Sequence, residues 1–291
     1  NFSLSFLFAC SVLLAPFASK SQQDVQLSQF MFDRLSVNPA FAGTHDAICG
    51  AMFYRTQWMQ FQGAPKTGLL NIHSPVKALH GGVGLTYYND RLGNETNNIA
   101  RLHYNYQTRL GPIGTISVGM SAGIISKRIA ANWVTPDGTA WHFDPSIANP
   151  NSKETKSDFG LGVYYSTPQL YVGFSATHLG QQSMTTLNIQ NARHYWVMAG
   201  YNYAMPSNPS FVLKPNVLVK SDGASTQIDI NTQVFYRNTF WAGASYRVAD
   251  AVIPMVGVRC SAAGGTITAG CSYDVTTSKL ANYSSGSLEW A

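Results

Sequence analysis

Residues that could do chemistry are dispersed along this sequence. Carboxylate and imidazole groups, the pair that a hydrolase uses for general acid–base work, occur in predicted loops at Asp144, Asp158, His142 and His178. No spacing pairs them with one another. The histidines show no ligand spacing, and the cysteines form no cluster of the kind that binds zinc. We therefore expect no enzymatic activity, no cofactor and no metal site.

Phosphate and nucleic-acid chemistry are not expected either. The glycine-rich stretch "GGVGL" at 81–85 opens a predicted strand instead of a helix, so it lacks the context of a nucleotide-binding loop. We also expect no nucleophile elbow. The net charge of +5 is spread along the chain without a basic run, which makes nucleic acid a poor candidate partner.

The composition differs from that of an ordinary soluble enzyme. Charged residues make up only 11% of the chain, against about 25% in typical globular proteins. The apolar residues are interspersed with Ser, Thr, Asn and Gln, and no segment after the first twenty residues approaches the 18 or so apolar residues of a membrane-spanning helix. These features exclude a helical membrane protein and disfavour a helical bundle.

The first residues read as a secretory signal peptide. An apolar run from Phe2 to Phe17 is too short for the ~20 residues that span a bilayer, and small and polar residues follow it. We assign residues 1–21 to the signal, with cleavage between Ala18 and Ser21. A lipoprotein site at Cys10 is the less favoured alternative.

Strict two-residue alternation then predicts strands. Between 227 and 236, Ile228 and Ile230 stand on one face while Asp229 and Asn231 stand on the other. Such segments are about ten residues long, the length of a tilted strand that crosses a membrane. We predict fourteen of them, at 46–58, 67–75, 81–89, 98–110, 113–127, 157–167, 169–178, 193–204, 210–220, 226–237, 239–248, 252–261, 265–275 and 284–291.

Short turns alternate with long loops between these segments. This pattern is typical of an all-β antiparallel outer-membrane barrel with both termini in the periplasm. We assign residues 45–291 to the barrel and 22–44 to an N-terminal periplasmic or plug segment. A secreted two-sheet sandwich would also alternate. Two features favour the barrel: aromatic residues near strand ends, and cations on the polar faces at Arg101, Arg109, Lys214, Arg247 and Arg259.

Two cysteines flank the predicted hairpin turn at 261–265. Cys260 and Cys271 fall on the apolar, outward face by parity, which favours two small lipid-facing residues. A cross-strand disulfide is the minor interpretation, because the expected register makes them diagonal.

Three ordered motifs carry a resemblance to a known family. They are "QLSQFMFDRLSVNPAFAG", "YRTQWMQFQGAPKTGLLNIHSP" and "GVGLTYYNDRLG". The sequence thereby resembles the PorP/SprF outer-membrane proteins of the type IX secretion system of Bacteroidetes. The family's motif residues correspond to Asn38, Pro39, Ala40, Phe41, Ala42, Gly43, Arg55, Gln57, Trp58, Gly63, Ala64, Pro65, Thr67, Asn89, Asp90 and Gly93. Phe41 stands where the family more often has Tyr.

The resemblance implies a non-enzymatic barrel. Its expected partner is a large secreted surface protein, such as a gliding adhesin, engaged through its C-terminal domain for export or attachment, together with other secretion components and outer-membrane lipid. The candidate partner-binding residues are Asn38, Pro39, Phe41, Gly43, Arg55, Trp58, Gly63, Pro65, Asn89 and Asp90.

Two alternatives remain open at this point. Asn38 and Pro39 fix a turn, and Phe41 either anchors the segment in the periplasmic mouth of the barrel or belongs to a tight lead-in to the first strand. The alternative function is a passive channel or small-solute transporter, for which Arg101, Arg109, Arg247 and Arg259 on the lumen face would favour anions.

Overall fold

The computed structural model describes residues 24–130, 152–187, 189–262 and 264–291. The predicted signal peptide lies outside these residues, and so do His142 and Asp144. The described residues form the fourteen strands of a barrel wall, apart from a few two-residue ladders. In chain order these are β1 Cys49–Thr56, β2 Lys66–Val76, β3 Gly81–Leu92, β4 Glu95–Leu110, β5 Gly114–Ile129, β6 Lys153–Ser166, β7 Leu170–Thr177, β8 His194–Tyr201, β9 Phe211–Ser221, β10 Thr226–Tyr236, β11 Phe240–Arg247, β12 Ala251–Ala262, β13 Gly265–Thr276 and β14 Ser287–Trp290.

The strands close into one antiparallel barrel. Each strand pairs with its neighbours in the sequence, and the ring closes where β14 pairs with β1, with Arg55 opposite Glu289. A two-residue ladder, Tyr203–Ala204, extends β8 along β9. The predicted fourteen-stranded outer-membrane barrel is therefore confirmed as a fold. The predicted strand bounds agree within a few residues, except that β6 begins at Lys153 and β14 is only four residues long.

Alternation decides which face of each strand is outside. Along β10, Ile228 and Ile230 are exposed, whereas Asp229 and Asn231 are buried. The same pattern recurs in the other strands, so the outer wall is apolar and the interior is polar. A hydrocarbon environment favours such an outer wall, and the closed ring leaves no long sheet edge unpaired.

The two ends of the barrel differ. At the end that we call the short-turn end, strands are joined by brief turns such as 111–113, 167–169 and 237–239. At the opposite, long-loop end lie the connections 57–65 and 277–286, and there β5 ends and β6 begins, as β7 ends and β8 begins. The turns at 93–94, 222–225 and 248–250 also belong to this end and are short, so the alternation in length is not strict.

Helical structure is confined to single turns. The 3-10 turns of the described residues are Phe30–Phe32, Pro39–Phe41, Lys77–Leu79 and Lys279–Asn282. None of the helices in this part of the chain is long and apolar enough to span a bilayer. A two-residue ladder, Ser183–Met184 with Ile189–Gln190, lies in the β7–β8 connection.

The cysteines of the described residues are free. Cys260 lies opposite Ile267, and Cys271 lies opposite Val256, so the register brings the two sulfurs to different levels of the hairpin. Cys260 is exposed on the outer face, as the main sequence-based interpretation expects.

Candidate functional site

Residues 24–44, which we call the inner segment, run through the interior of the barrel. At the long-loop end, the Asp24 carboxylate lies 3.0 Å from Nε2 of His178. At the short-turn end, the Gln107 side chain donates a 3.0 Å hydrogen bond to the carbonyl of Ala42. Between these points the inner segment is largely buried. It contributes apolar side chains to two clusters that also contain inward-facing residues of the strands.

One charged network holds the inner segment to the closure of the barrel. Arg55 of β1 binds Asp274 of β13 at 2.7 Å and Glu289 of β14 at 3.3 Å. The Glu289 carboxylate accepts hydrogen bonds from the backbone N–H groups of Ser28 and Gln29, at 2.8 and 2.7 Å. Buried charges are tolerated when they are paired and hydrogen-bonded in this way. The network therefore fixes the inner segment against the first and last strands.

A second network lies across the interior. Arg101 of β4 pairs with Asp158 of β6, and its guanidinium also donates to the carbonyl of Ser36 at 3.3 Å. Asp158 accepts from His178, which reaches Asp24 through its other ring nitrogen. Burial alone lowers the pKa of His178, but the adjacent Asp24 and Asp158 outweigh burial and raise that pKa to about 9. His178 therefore carries a positive charge at neutral pH.

These networks change the interpretation of the interior cations. Arg101 and Arg247 are each only 1% exposed, so they do not stand in the wet lumen that the sequence led us to expect. Arg247 binds Asp229 at 3.1 Å and Asp274 at 2.9 Å. Their charges are neutralised within the protein.

The Asn38-Pro39 turn packs directly against glycine residues of the barrel wall. The Asn38 side chain caps the following turn by accepting from the Ala40 N–H, and donates to the carbonyl of Val163. A Cβ atom at Gly162 would lie 2.1 Å from Oδ1 of Asn38, and one at Gly119 would lie 2.4 Å from the nitrogen of Ala40. The wall thus approaches the inner segment so closely that only glycine fits at these positions.

Phe41 and Gly43 continue this contact towards the short-turn end. The Phe41 ring packs edge-to-face against His73 at 5.2 Å and Tyr164 at 5.5 Å between ring centroids. Gly43 adopts a positive φ of 61° and donates to Nδ1 of His73 at 3.0 Å. A Cβ atom at Gly43 would lie 2.6 Å from the Cα of Gly82. This part of the motif is therefore packed inside the barrel.

Other candidate residues surround a cavity of about 500 Å³ at the long-loop end. Trp58 and Pro65 come from the β1–β2 connection and Asp90 from β3, where its carboxylate accepts a hydrogen bond from Thr67. The beginning of the inner segment contributes Val25. The remaining lining residues are Asp24, Gln26, Gln57, Thr67, Leu92, Glu95, Asn97 and Lys127.

The candidate residues therefore separate into groups. Asn38, Pro39, Phe41 and Gly43 form internal contacts, and Arg55 is buried in an ion network. Trp58, Pro65 and Asp90 lie around an open cavity. Gly63 supports the loop, because its carbonyl accepts from the N–H of Gly93 at 2.8 Å. Asn89 lies on the outer face and hydrogen-bonds Asn98.

Two features escaped the sequence analysis. Residues Gly119 to Gly123 have the sequence Gly-x-Ser-x-Gly, but they lie inside β5 and so form no strand-to-helix elbow.

His45, Cys49 and His73 have ligand atoms within 4.8 Å of one another, close enough to hold a metal ion. Cys49 and His73 are partners in the β1–β2 ladder, so a correct hairpin register would have predicted this proximity.

Solved structures with a similar fold are porins and channels. The chain resembles the CymD monoaromatic hydrocarbon channel with a TM-score of 0.50 at 12% identity, covering 91% of each chain. KdgM porin matches with a TM-score of 0.36 at 9% identity, over 84% of this chain and 99% of that one. A triple mutant of Rhodopseudomonas blastica porin matches with a TM-score of 0.33 at 11% identity, over 84% of this chain and 98% of that one. At these identities the likeness concerns the fold alone.

Sequence comparison is more specific. No curated protein matches the chain. A family model described as "Type IX secretion system membrane protein PorP/SprF" matches residues 19–290, which include the inner segment, nearly all of the barrel and every candidate residue.

Proposed function

Since the chain belongs to the PorP/SprF family of type IX secretion system membrane proteins, we propose that it is a non-enzymatic outer-membrane barrel that binds a secreted surface protein. The partner's C-terminal domain is the part engaged, and binding supports export or attachment of an adhesin of the gliding type. Other components of the secretion system and outer-membrane lipid are its further partners.

The cavity at the long-loop end is the observation that supports this role best. It brings Trp58, Pro65 and Asp90, from two separate sequence motifs, around one space of about 500 Å³. The backbone of Trp58 is anchored in the loop, because its N–H donates to the Ser287 hydroxyl at 3.0 Å. An aromatic side chain and a carboxylate around the same cavity suit the docking of a peptide segment.

We place the long-loop end outside the cell, as is usual for outer-membrane barrels. In that orientation Asp24 lies at the outer end of the interior, and the inner segment passes towards the periplasm before β1 begins. The described residues begin at Asp24, so the sequence-based prediction of two periplasmic termini stays a prediction. Accessibility of a cysteine introduced at Gln26 to a membrane-impermeant maleimide on intact cells tests the assignment; Ser210→Cys, at the short-turn end, is the matched control.

Affinity purification of a tagged copy from detergent-solubilised outer membrane tests the function. We expect a large surface protein to co-purify in stoichiometric amounts and to be lost when its own C-terminal domain is deleted. Trp58→Ala should reduce the yield of that partner. Tyr283→Ala is the control, because Tyr283 is an exposed aromatic residue at the same end but outside the cavity. A barrel that purifies alone would contradict the proposal.

A passive channel is the second candidate. Cavities of about 500 and 290 Å³ at opposite ends of the interior favour it. The paired cations and the packed inner segment between those cavities favour the binding role instead. Planar-bilayer recording separates the two: a steady, anion-selective conductance supports the channel, and a sealed barrel supports the binding protein.

A further inference from the structure

The short-turn end of the interior contains a second cavity, of about 290 Å³. Three cations line it: Arg34 of the inner segment, Lys214 of β9 and Arg259 of β12. Phe41 and Phe235 form apolar walls beside them. His45 and Asn202, which also line it, are exposed, so the cavity opens towards the short-turn end.

The charges around this cavity are unbalanced. No carboxylate is among its described lining residues, and within the described part of the chain no ion pair joins Arg34, Lys214 or Arg259 to an acid. Arg34 donates to the Tyr164 hydroxyl at 3.1 Å, and Arg259 donates to Asn238 at 2.7 Å. Nearer the long-loop end, by contrast, the buried Arg55, Arg101 and Arg247 are each paired with a carboxylate.

Two of these cations lie against the same aromatic ring. Nζ of Lys214 lies 4.2 Å from the centroid of the Phe235 ring, and Cζ of Arg259 lies 4.5 Å from the same centroid. Cation–π contact orients both charges but does not neutralise them. Two like charges beside one ring repel each other, and a bound anion would relieve that repulsion.

Unused hydrogen-bond donors point to the same ligand chemistry. Nε of Arg34 and the side-chain nitrogen of Gln233 are buried and have no hydrogen-bond partner among the described residues. Both residues line this cavity. Buried donors are nearly always satisfied in folded proteins, so a ligand acceptor that draws either side chain into the cavity would complete its hydrogen bonding.

We propose that this cavity binds a carboxylate carried on an apolar group. Guanidinium and ammonium donors match a carboxylate, and the Phe41 and Phe235 rings match an apolar body next to it. The ligand reaches the cavity from the short-turn end. This site does not depend on the proposed binding of a secreted protein, because it lies at the opposite end of the barrel from Trp58.

Calorimetric titration of the purified full chain in non-ionic detergent tests the proposal. N-acetyl-phenylalanine is the probe, and its uncharged amide is the matched control. We expect the acid to bind at least about tenfold more tightly than the amide, the effect of one charge-assisted contact. Equal binding of acid and amide would overturn the proposal. Inorganic phosphate binding as tightly as the acid would overturn the choice of an apolar carboxylate.

Variants locate the site. Lys214→Met and Arg259→Met should each weaken binding of the acid about tenfold. Arg109→Met should leave it unchanged, because Arg109 is an exposed cation at the same end and does not line the cavity. Undiminished binding in both cavity variants would contradict the assignment.

The unmodified protein provides a second measurement that is independent of how the variants fold. Raising the salt from about 50 to about 500 mM should weaken binding of the acid and leave binding of the amide unchanged. An affinity for the acid that does not respond to salt would contradict the role of the three cations.

Discussion

The Arg55 guanidinium and the Asp274 carboxylate lie 2.7 Å apart in the interior, joining the first strand to the thirteenth across the intervening β14. Glu289 of β14 completes the group. Because all three are buried, Arg55→Gln would leave the Glu289 carboxylate without its cation and Asp274 with Arg247 alone. We expect it to destabilise the barrel by about 3–5 kcal/mol, measured by urea unfolding in detergent.

The exposed Arg109 provides the matched control for this substitution. Arg109→Gln should change stability by no more than about 0.5 kcal/mol, since it breaks no buried contact. Equal stability of the two variants would show that the Arg55 network contributes nothing to closure of the barrel.

A methyl group added to one of the wall glycines that contact the inner segment should displace that segment. A Cβ at Gly162 would meet Oδ1 of Asn38, whereas nothing lies within 4 Å of a Cβ at Gly68. We expect Gly162→Ala to cost about 1–3 kcal/mol and to open the inner segment to protease. Gly68→Ala should have neither effect. Identical cleavage of the two variants would rule out the tight contact with Asn38.

Phe41 offers a test of the inner segment in partner binding. Phe41→Asp should leave the barrel assembled, because the other contacts of residues 24–44 still hold the inner segment in the ring. It places a charge between His73 and Tyr164, however, and should weaken association with the secreted partner. Pull-down measures the association, and heat-modifiable migration on a gel reports the barrel. Phe61→Asp, in the exposed β1–β2 connection, is the control. If Phe41→Asp leaves the pull-down unchanged, the inner segment takes no part in partner binding and is only a lead-in to β1.

The charged state of His178 predicts a pH dependence. Its pKa of about 9 lies above the ordinary value of about 6.5, so its stabilisation is complete below about pH 6.5 and is lost as the pH rises through 9. The free energy of unfolding, measured by thermal denaturation, should therefore fall between pH 7 and pH 10. The fall should be about 3 kcal/mol larger for the unmodified protein than for His178→Asn. Parallel pH curves for the two proteins would contradict a charged His178 between Asp24 and Asp158.

Much of the fold was predictable because barrel strands have a local signature. In β10, the alternation of Ile228 and Ile230 with Asp229 and Asn231 is visible in the sequence, and it alone decides which side chains face out. Turn residues then separate one strand from the next. Strand number and the confirmed barrel architecture follow from this local information.

The interior was predicted less well because its contacts are distant in sequence. Arg55 looked like part of a docking surface beside Trp58, yet the closed ring turns it inward to Asp274, 219 positions away. Likewise, Asp24 and His178 are 154 positions apart. No pattern of period two indicates which buried cation meets which carboxylate, since this depends on the tilt and stagger of the closed barrel.

The close contact between wall glycines and the inner segment also has a consequence for the order in which the barrel assembles. Gly119, Gly162 and Gly82 belong to three different strands, and each touches the inner segment too closely for a side chain to pass. A segment fitted so tightly into a finished ring would have to be threaded past both charged networks. We therefore expect the wall to form around residues 24–44, with the pairing of β14 to β1 as the last event, so that this stretch serves the nascent barrel as a template.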